Sequence, residues 1–97
     1  MYGTVARMRV TPGAEQALFA VSEQAKAQIA GLVGQYVYRM DNEPDVYYLA
    51  VMFADKAAYQ ANATSPGQHE RYLAYRELLQ EDPEWHDGEI VWGYAPE

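Results

Sequence analysis

The chain has 97 residues, fourteen Asp and Glu against seven Lys and Arg for a formal charge of −7, and no cysteine. That length allows one domain, residues 1–97, since a second core would leave each too small to fold alone. The acidic balance excludes the basic face that a nucleic-acid binder needs, and the missing thiols exclude a disulfide framework, a thiolate nucleophile and a Cys-based metal site.

Tyr2–Val10 reads as a strand, with Tyr2, Thr4, Ala6, Met8 and Val10 on one face and Arg7 and Arg9 on the other. Thr11-Pro12-Gly13 then breaks the chain, Thr11 standing as a helix cap and Pro12 as a first helical residue. From Ala14 to Ala30, the residues Ala14, Ala17, Leu18, Val21, Ala25 and Ile29 recur at helical spacing, with Glu15, Glu23 and Lys26 on the wet side. Gly31 ends this helix and Leu32–Met40 alternates as a second strand. Asp41–Asp45 is turn chemistry of hairpin length, which makes the second and third strands antiparallel neighbours. Val46–Phe53 is apolar on both faces, the mark of a central strand covered twice.

Asp55 caps a short helix through Ala61, and Ser65-Pro66-Gly67-Gln68 has the form of a capping box. The helix it opens carries His69, Tyr72, Leu73, Arg76 and Leu79 on one stripe and runs to about Gln80, before Pro83 forbids continuation. After an Asp87-Gly88 turn, Glu89–Tyr94 places Ile90, Trp92 and Tyr94 on one face of a last strand. The Glu81–Asp87 run reads as a solvated loop, because its acids and His86 lack the spacing of a metal site.

The predicted order is βαββαβ, a ferredoxin-like α+β fold. Right-handed crossovers give a four-stranded antiparallel sheet in the order 4-1-3-2, with both helix regions on one face. The other face should carry Val5, Arg7, Arg9, Leu49, Val51 and Phe53, too apolar in its middle for a wet surface. With 49% hydrophobic residues and nine tyrosines in so short a chain, the expected partner is a second copy, two sheets packing face to face. No apolar run approaches the about 20 residues that span a bilayer, and Met1–Val5 lacks the basic flank and apolar block of a signal peptide. The expectation is a cytoplasmic homodimer that binds neither nucleic acid nor membrane.

Three features of the chain carry a family likeness: an opening strand closing in Val10-Thr11-Pro12-Gly13, a hairpin strand closing in Met52-Phe53-Ala54-Asp55-Lys56, and a helix-Ser65-Pro66-helix step. In these it resembles the antibiotic biosynthesis monooxygenase family of the dimeric α+β barrel superfamily, over roughly Tyr2 to Tyr94. The resemblance implies a barrel formed across a dimer and a pocket between each sheet and its helices. Its members include enzymes that oxidise phenolic polyketides or quinols with neither metal nor flavin, and others that cleave haem. Here Phe53 stands where a tryptophan is common and Asn62 where a histidine is frequent. The haem-cleaving branch shows an Asn on the first strand and a His after the Ser-Pro step. This chain has no such Asn and offers Tyr72 near that His, which disfavours a haem role.

Oxygenation without a cofactor asks for a substrate anion that can pass an electron to oxygen, a group that favours the anion, and a dry pocket. The catalytic candidates are Tyr72, Asn62 and His69: a hydroxyl, an amide and the helix's only histidine, the residue type suited to act as base toward a phenol. The candidates for binding an aromatic substrate are Tyr36, Tyr48 and Trp92, with Tyr47 and Tyr75 as further ring walls and Arg7 as an oxyanion partner. Tyrosines also fill cores and dimer seams, and paired arginines such as Arg7 and Arg9 more often meet carboxylates. No cofactor and no metal are expected. The leading reading is a cofactor-free monooxygenase for a small aromatic, phenolic or quinol substrate; the alternative is a non-catalytic ligand-binding or scaffolding dimer.

Overall fold

The computed structural model of the chain describes residues 1–94. Its elements are β1 (Tyr2–Arg9), α1 (Glu15–Gln28), β2 (Leu32–Arg39), β3 (Val46–Phe53), α2 (Lys56–Ala63), α3 (Gln68–Arg76) and β4 (Glu84–Glu89). The strands form one antiparallel sheet in the order β2-β3-β1-β4. That is the predicted order read from its other edge, and the helices all lie on one face.

Two glycines set the ends of α1. Gly13 takes a φ of +87° in the turn before it, and Gly31 a φ of +81° just after it, a conformation that costs other residues dearly. Thr11 does not cap with its side chain. Its carbonyl accepts from Ala14 N at 3.0 Å, and α1 starts without a side-chain cap. Gly31 also ties two strands together, since its carbonyl accepts from Ala54 N at 3.0 Å. A Cβ there would come within 2.8 Å of the Ala58 Cβ.

The β1–β3 pairing decides which side chains form the core. Ala6 lies opposite Leu49, Thr4 opposite Val51 and Tyr2 opposite Phe53, and directly paired residues share a face. Leu49, Val51 and Phe53 therefore point toward the helices, not to the helix-free face expected for them. The helix-free face carries Val5, Arg7 and Arg9 with Val46, Tyr48, Ala50 and Met52, and across β2 Tyr36 and Tyr38. Because β3 is apolar on both sides, its own sequence leaves this parity open. Under the helices, Ala6, Met8, Val10, Leu18, Tyr47, Leu49 and Leu79 pack into one cluster.

The fourth strand lies earlier than predicted, at Glu84–Glu89. It pairs with β1 from Arg7↔Glu84 to Tyr2↔Glu89, and the last bond between the two is from Ile90 N–H to Met1 O at 2.9 Å. Trp92 and Tyr94 thus extend past the sheet, 81% and 74% exposed. An edge strand held by backbone bonds on one side needs no apolar alternation, so its polar sequence resembled a loop. The Glu81–Asp87 run is accordingly half strand, and its first acids are paired: Glu81 with Arg9 at 3.1 Å and Asp82 with Arg76 at 2.8 Å. Helix α3 stops at Arg76 rather than near Gln80 because the following backbone turns to β1, Thr11 N meeting Leu78 O at 2.8 Å and Gln80 N meeting Arg9 O at 2.8 Å.

The register predicts opposite fates for two aspartates. Leu49→Asp buries an unpaired carboxylate at a site 2% exposed, a cost of several kcal/mol against a total stability of roughly 5–15 kcal/mol. Its cooperative thermal transition, followed by circular dichroism, should be lost. Val5→Asp, at a site 43% exposed in the single chain, should keep that transition.

Candidate active-site cavity

The core fills only one end of the helix-covered face, beneath the start of α1 and the end of α3. At the other end a cavity of about 560 Å³ opens between sheet and helices, within the size range of small-molecule sites. Its floor is Leu49, Val51 and Phe53 with Thr4 and Gln35; Ala25 and Ile29 of α1 form one wall, and Trp85 and Asp87 of β4 stand at the rim. The opposite wall is the elbow between α2 and α3, which supplies Tyr59, Asn62, Ser65, Gln68, His69, Arg71, Tyr72 and Tyr75.

Local chemistry shapes this elbow. Asp55 caps α2 as predicted, its carboxylate accepting from Ala58 N at 2.7 Å. Thr64 Oγ1 donates back to Gln60 O at 3.2 Å, and Ser65 Oγ donates to Asn62 O at 2.8 Å. Ser65 therefore closes the end of α2 instead of capping α3, and the expected capping box does not form. Gly67 precedes α3 with no side-chain cap, and Pro66 lies in the turn rather than in the first helical position.

Inside the elbow, Arg71 Nη2 donates to Asn62 Oδ1 at 2.7 Å, Ser65 Oγ at 3.1 Å and Gln68 Oε1 at 3.4 Å. Asn62 Nδ2 in turn donates to Gln68 Oε1 at 3.1 Å. Tyr75 is fixed between elements, its hydroxyl accepting from Gln35 Nε2 at 3.2 Å and lying 3.1 Å from Ser22 Oγ. At the sheet side, Tyr59 stacks edge-on against Phe53 with ring centres 5.4 Å apart. Burial, and then the neighbouring Asp87 carboxylate, push its phenol up to about 12. Thr4 Oγ1 lies buried beside this cluster with no hydrogen-bond partner among the described residues.

Of the residues singled out in the sequence, Asn62, His69 and Tyr72 come together on the elbow wall, and Tyr75 joins them. Tyr36, Tyr48 and Arg7 do not. The same strand parity that carries Leu49 inward turns them outward: Tyr36 is opposite Ala50 and Tyr48 opposite Arg7 on the helix-free face. Arg7 lies 3.8 Å from Glu81 there, and Arg9 is held by Glu43, Asp45 and Glu81, so the carboxylate pairing is made within the chain. Trp92 lies beyond β4, away from the cavity. Tyr47 belongs to the core, its hydroxyl bonded to Glu15.

Sequence reasoning missed Arg71, Gln68, Tyr59 and Trp85. The signal for most of them was present. Gln68, Arg71, Tyr72 and Tyr75 recur at i, i+3, i+4 and i+7, and Tyr59 and Asn62 at i, i+3, so each set shares one helix face. The stripe read through His69, Tyr72, Leu73, Arg76 and Leu79 holds two cavity residues, His69 and Tyr72, but also Leu73, which is 46% exposed. Trp85 was lost with the misplaced strand.

The antibiotic biosynthesis monooxygenase family matches residues 1–78. Among solved structures, a protein of Chloroflexus aurantiacus assigned to that family is 24% identical, covering 97% of this chain and 96% of its own at a TM-score of 0.76. One from Bordetella bronchiseptica is 23% identical, with 94% and 97% covered and a TM-score of 0.77. SnoaB of Streptomyces nogalater, described as a cofactor-independent oxygenase and solved as an asparagine-to-alanine variant, is 19% identical, with 95% and 94% covered and a TM-score of 0.78. No curated protein matches.

The Tyr59 environment has a consequence at alkaline pH. Its phenol ionises near 10.0 in the unfolded chain and about 12 when folded, so the unfolded state releases its proton first. The stability it contributes is whole below pH 10.0 and declines as pH rises through about 12. Urea titrations across that window should show Tyr59→Phe losing less stability than the parent chain. An equal loss in both would place the buried phenol elsewhere.

Proposed function

Because this chain belongs to the antibiotic biosynthesis monooxygenase family, we propose that its cavity oxidises a small phenol or quinol with molecular oxygen and no bound cofactor. The observation that carries this reading is the cavity itself: an apolar floor of Leu49, Val51 and Phe53 facing an elbow that gathers Asn62, His69 and Tyr72. The apolar floor suits a flat ring, and the elbow offers a hydroxyl, an amide and an imidazole to an oxygen on that ring. SnoaB, similar in fold, is described as a cofactor-independent oxygenase, which supports the reading.

In this scheme His69 takes a proton from the substrate, and the Asn62 amide and Tyr72 hydroxyl stabilise the oxyanion left behind. The electron-rich anion passes one electron to oxygen, and the radical pair joins in a carbon–oxygen bond to give a peroxide. Where the attacked carbon bore two hydrogens, loss of water then leaves a carbonyl. One oxygen atom stays in the product, the other leaves as water, and the substrate supplies all four electrons.

We further propose that the chain acts as a cytoplasmic homodimer. The helix-free face exposes Val5, Tyr36 and Tyr38, at 43%, 60% and 54%, beside half-buried Tyr48 and Met52. A second copy would cover these rings. No helix of the described residues is long and apolar enough to cross a membrane.

Two measurements test these readings. An oxygen electrode with a panel of hydroquinones and anthrones should register uptake, and Tyr72→Phe should lower turnover by roughly 10²–10³ with little change in melting temperature. Full turnover by that variant would remove Tyr72 from the chemistry; absence of uptake across the panel, with ligand still bound, would favour a binding module. In sedimentation at micromolar concentration, the parent chain should run at twice its own mass and Val5→Asp as a folded single chain. A monomeric parent would exclude the face-to-face dimer.

A further inference from the structure

The chain has carboxylates to spare, with a net charge of −7. Four of its five arginines use them: Arg7 with Glu81, Arg9 with Glu43, Asp45 and Glu81, Arg39 with Glu15, and Arg76 with Asp82. Arg71 stands apart. No described carboxylate pairs with it, its three bonds go to neutral oxygens through Nη2 alone, and its Nε is buried with no partner. It also lines the cavity. A guanidinium is charged at every accessible pH. Holding one partly out of water against neutral acceptors is unfavourable unless an anion completes its shell.

Its donor-only chemistry also settles how Asn62 sits. Arg71 can only donate, so the atom it meets at 2.7 Å must be the Asn62 oxygen, and Nδ2 is left to meet Gln68 Oε1 at 3.1 Å. One Nδ2 hydrogen is used by Gln68; the other remains for the cavity that Asn62 lines. Gly67 makes room for this arrangement, since a Cβ there would approach Arg71 Nη1 to 2.9 Å.

We propose that Arg71 makes the cavity select ligands bearing an oxyanion on an aromatic ring, supplying the charge itself and holding the Asn62 amide with a free N–H turned to the same oxygen. This rests on the reading of the cavity as the substrate site, and it narrows the substrate to one bound as phenolate or ring carboxylate. Arg71 acts on the substrate's charge directly and on its orientation through Asn62. Among the described residues Asp87 is the one carboxylate lining the cavity, beside Tyr59.

The test needs no turnover. 4-Nitrophenol is titrated with and without the intact protein, following the separate absorption bands of phenol and phenolate. Bound to the parent chain, the probe should ionise at lower pH than free probe, with phenolate favoured about tenfold, one pH unit. In Arg71→Gln the sign should reverse, because an apolar cavity without the charge disfavours the anion. Arg71→Lys should restore part of the effect. Gly67→Ala, which displaces the guanidinium tip but keeps the charge, should fall between, and it decides the matter if Arg71→Gln does not fold. 4-Nitrobenzoate should displace the probe while 4-nitrobenzamide does not; displacement by the benzoate alone extends the site to ring carboxylates. A bound probe that ionises at higher pH than free probe, an Arg71→Gln protein identical to the parent, or no binding of nitrophenol would overturn the proposal. A protein that lowers the probe's ionisation yet consumes no oxygen keeps this inference and loses the oxygenase reading. Oxygen uptake with no shift of the probe does the reverse.

Discussion

The register between β1 and β3 is the constraint on which the rest depends. Pairing Ala6 with Leu49 and Thr4 with Val51 decides in one step which side chains are core, which line the cavity and which are left on the open face. A slip of one residue would send Leu49, Val51 and Phe53 outward and bring Tyr48 and Met52 beneath the helices. The cavity floor would then be rebuilt from different residues, and the elbow would face a different surface. Gly3 makes the register tight as well as specific, since a Cβ there would lie 2.1 Å from the Val51 carbonyl oxygen.

That same register explains what the sequence could and could not reveal. The bounds of β3 were legible because turn residues flank an unbroken apolar run. Its parity was not, because an apolar residue at every position fits either face equally well. Tyr48 was assigned to the site through that ambiguity, and Tyr36 shares its face across the β2–β3 pairing; Arg7 lies on the helix-free face as its own strand predicts, but the cavity is on the other. The fourth strand was hidden for a different reason. Glu84–Glu89 is exposed throughout and is held by backbone bonds to β1, which leave no trace in side-chain pattern. Asn62, His69 and Tyr72 were legible because helix spacing and the family likeness pointed to the same elbow. Arg71 sits between two of them in sequence, and its helix face can be read from the spacing, but its neutral partners cannot.

The helix-covered face divides stability from chemistry along its length. At one end Leu18, Met8, Tyr47 and Leu79 close into a dense cluster, and Arg9 ties the β2–β3 hairpin to the segment after α3 through Asp45 at 2.6 Å and Glu81 at 3.1 Å. At the other end the helices stand off the sheet and leave polar atoms unmatched. Packing at the first end lets the second remain open, because cooperative folding does not require every part of a face to be filled.

Two buried polar atoms at the open end lack partners among the described residues. Thr4 Oγ1 and Arg71 Nε are the buried side-chain polar atoms without partners among the described residues, and Thr4 and Arg71 both line the cavity. Buried donors and acceptors are otherwise nearly always satisfied, because each orphan costs about 1–3 kcal/mol. Arg71 is the more telling of the two, since the other arginines all meet carboxylates while its own bonds go to neutral oxygens. In the proposed reading the apolar floor of Leu49, Val51 and Phe53 takes the ligand's ring, and the elbow with Asn62 and Arg71 takes its oxygen. That reading rests on the strand register, which builds the floor, and on one guanidinium that meets no carboxylate among the described residues.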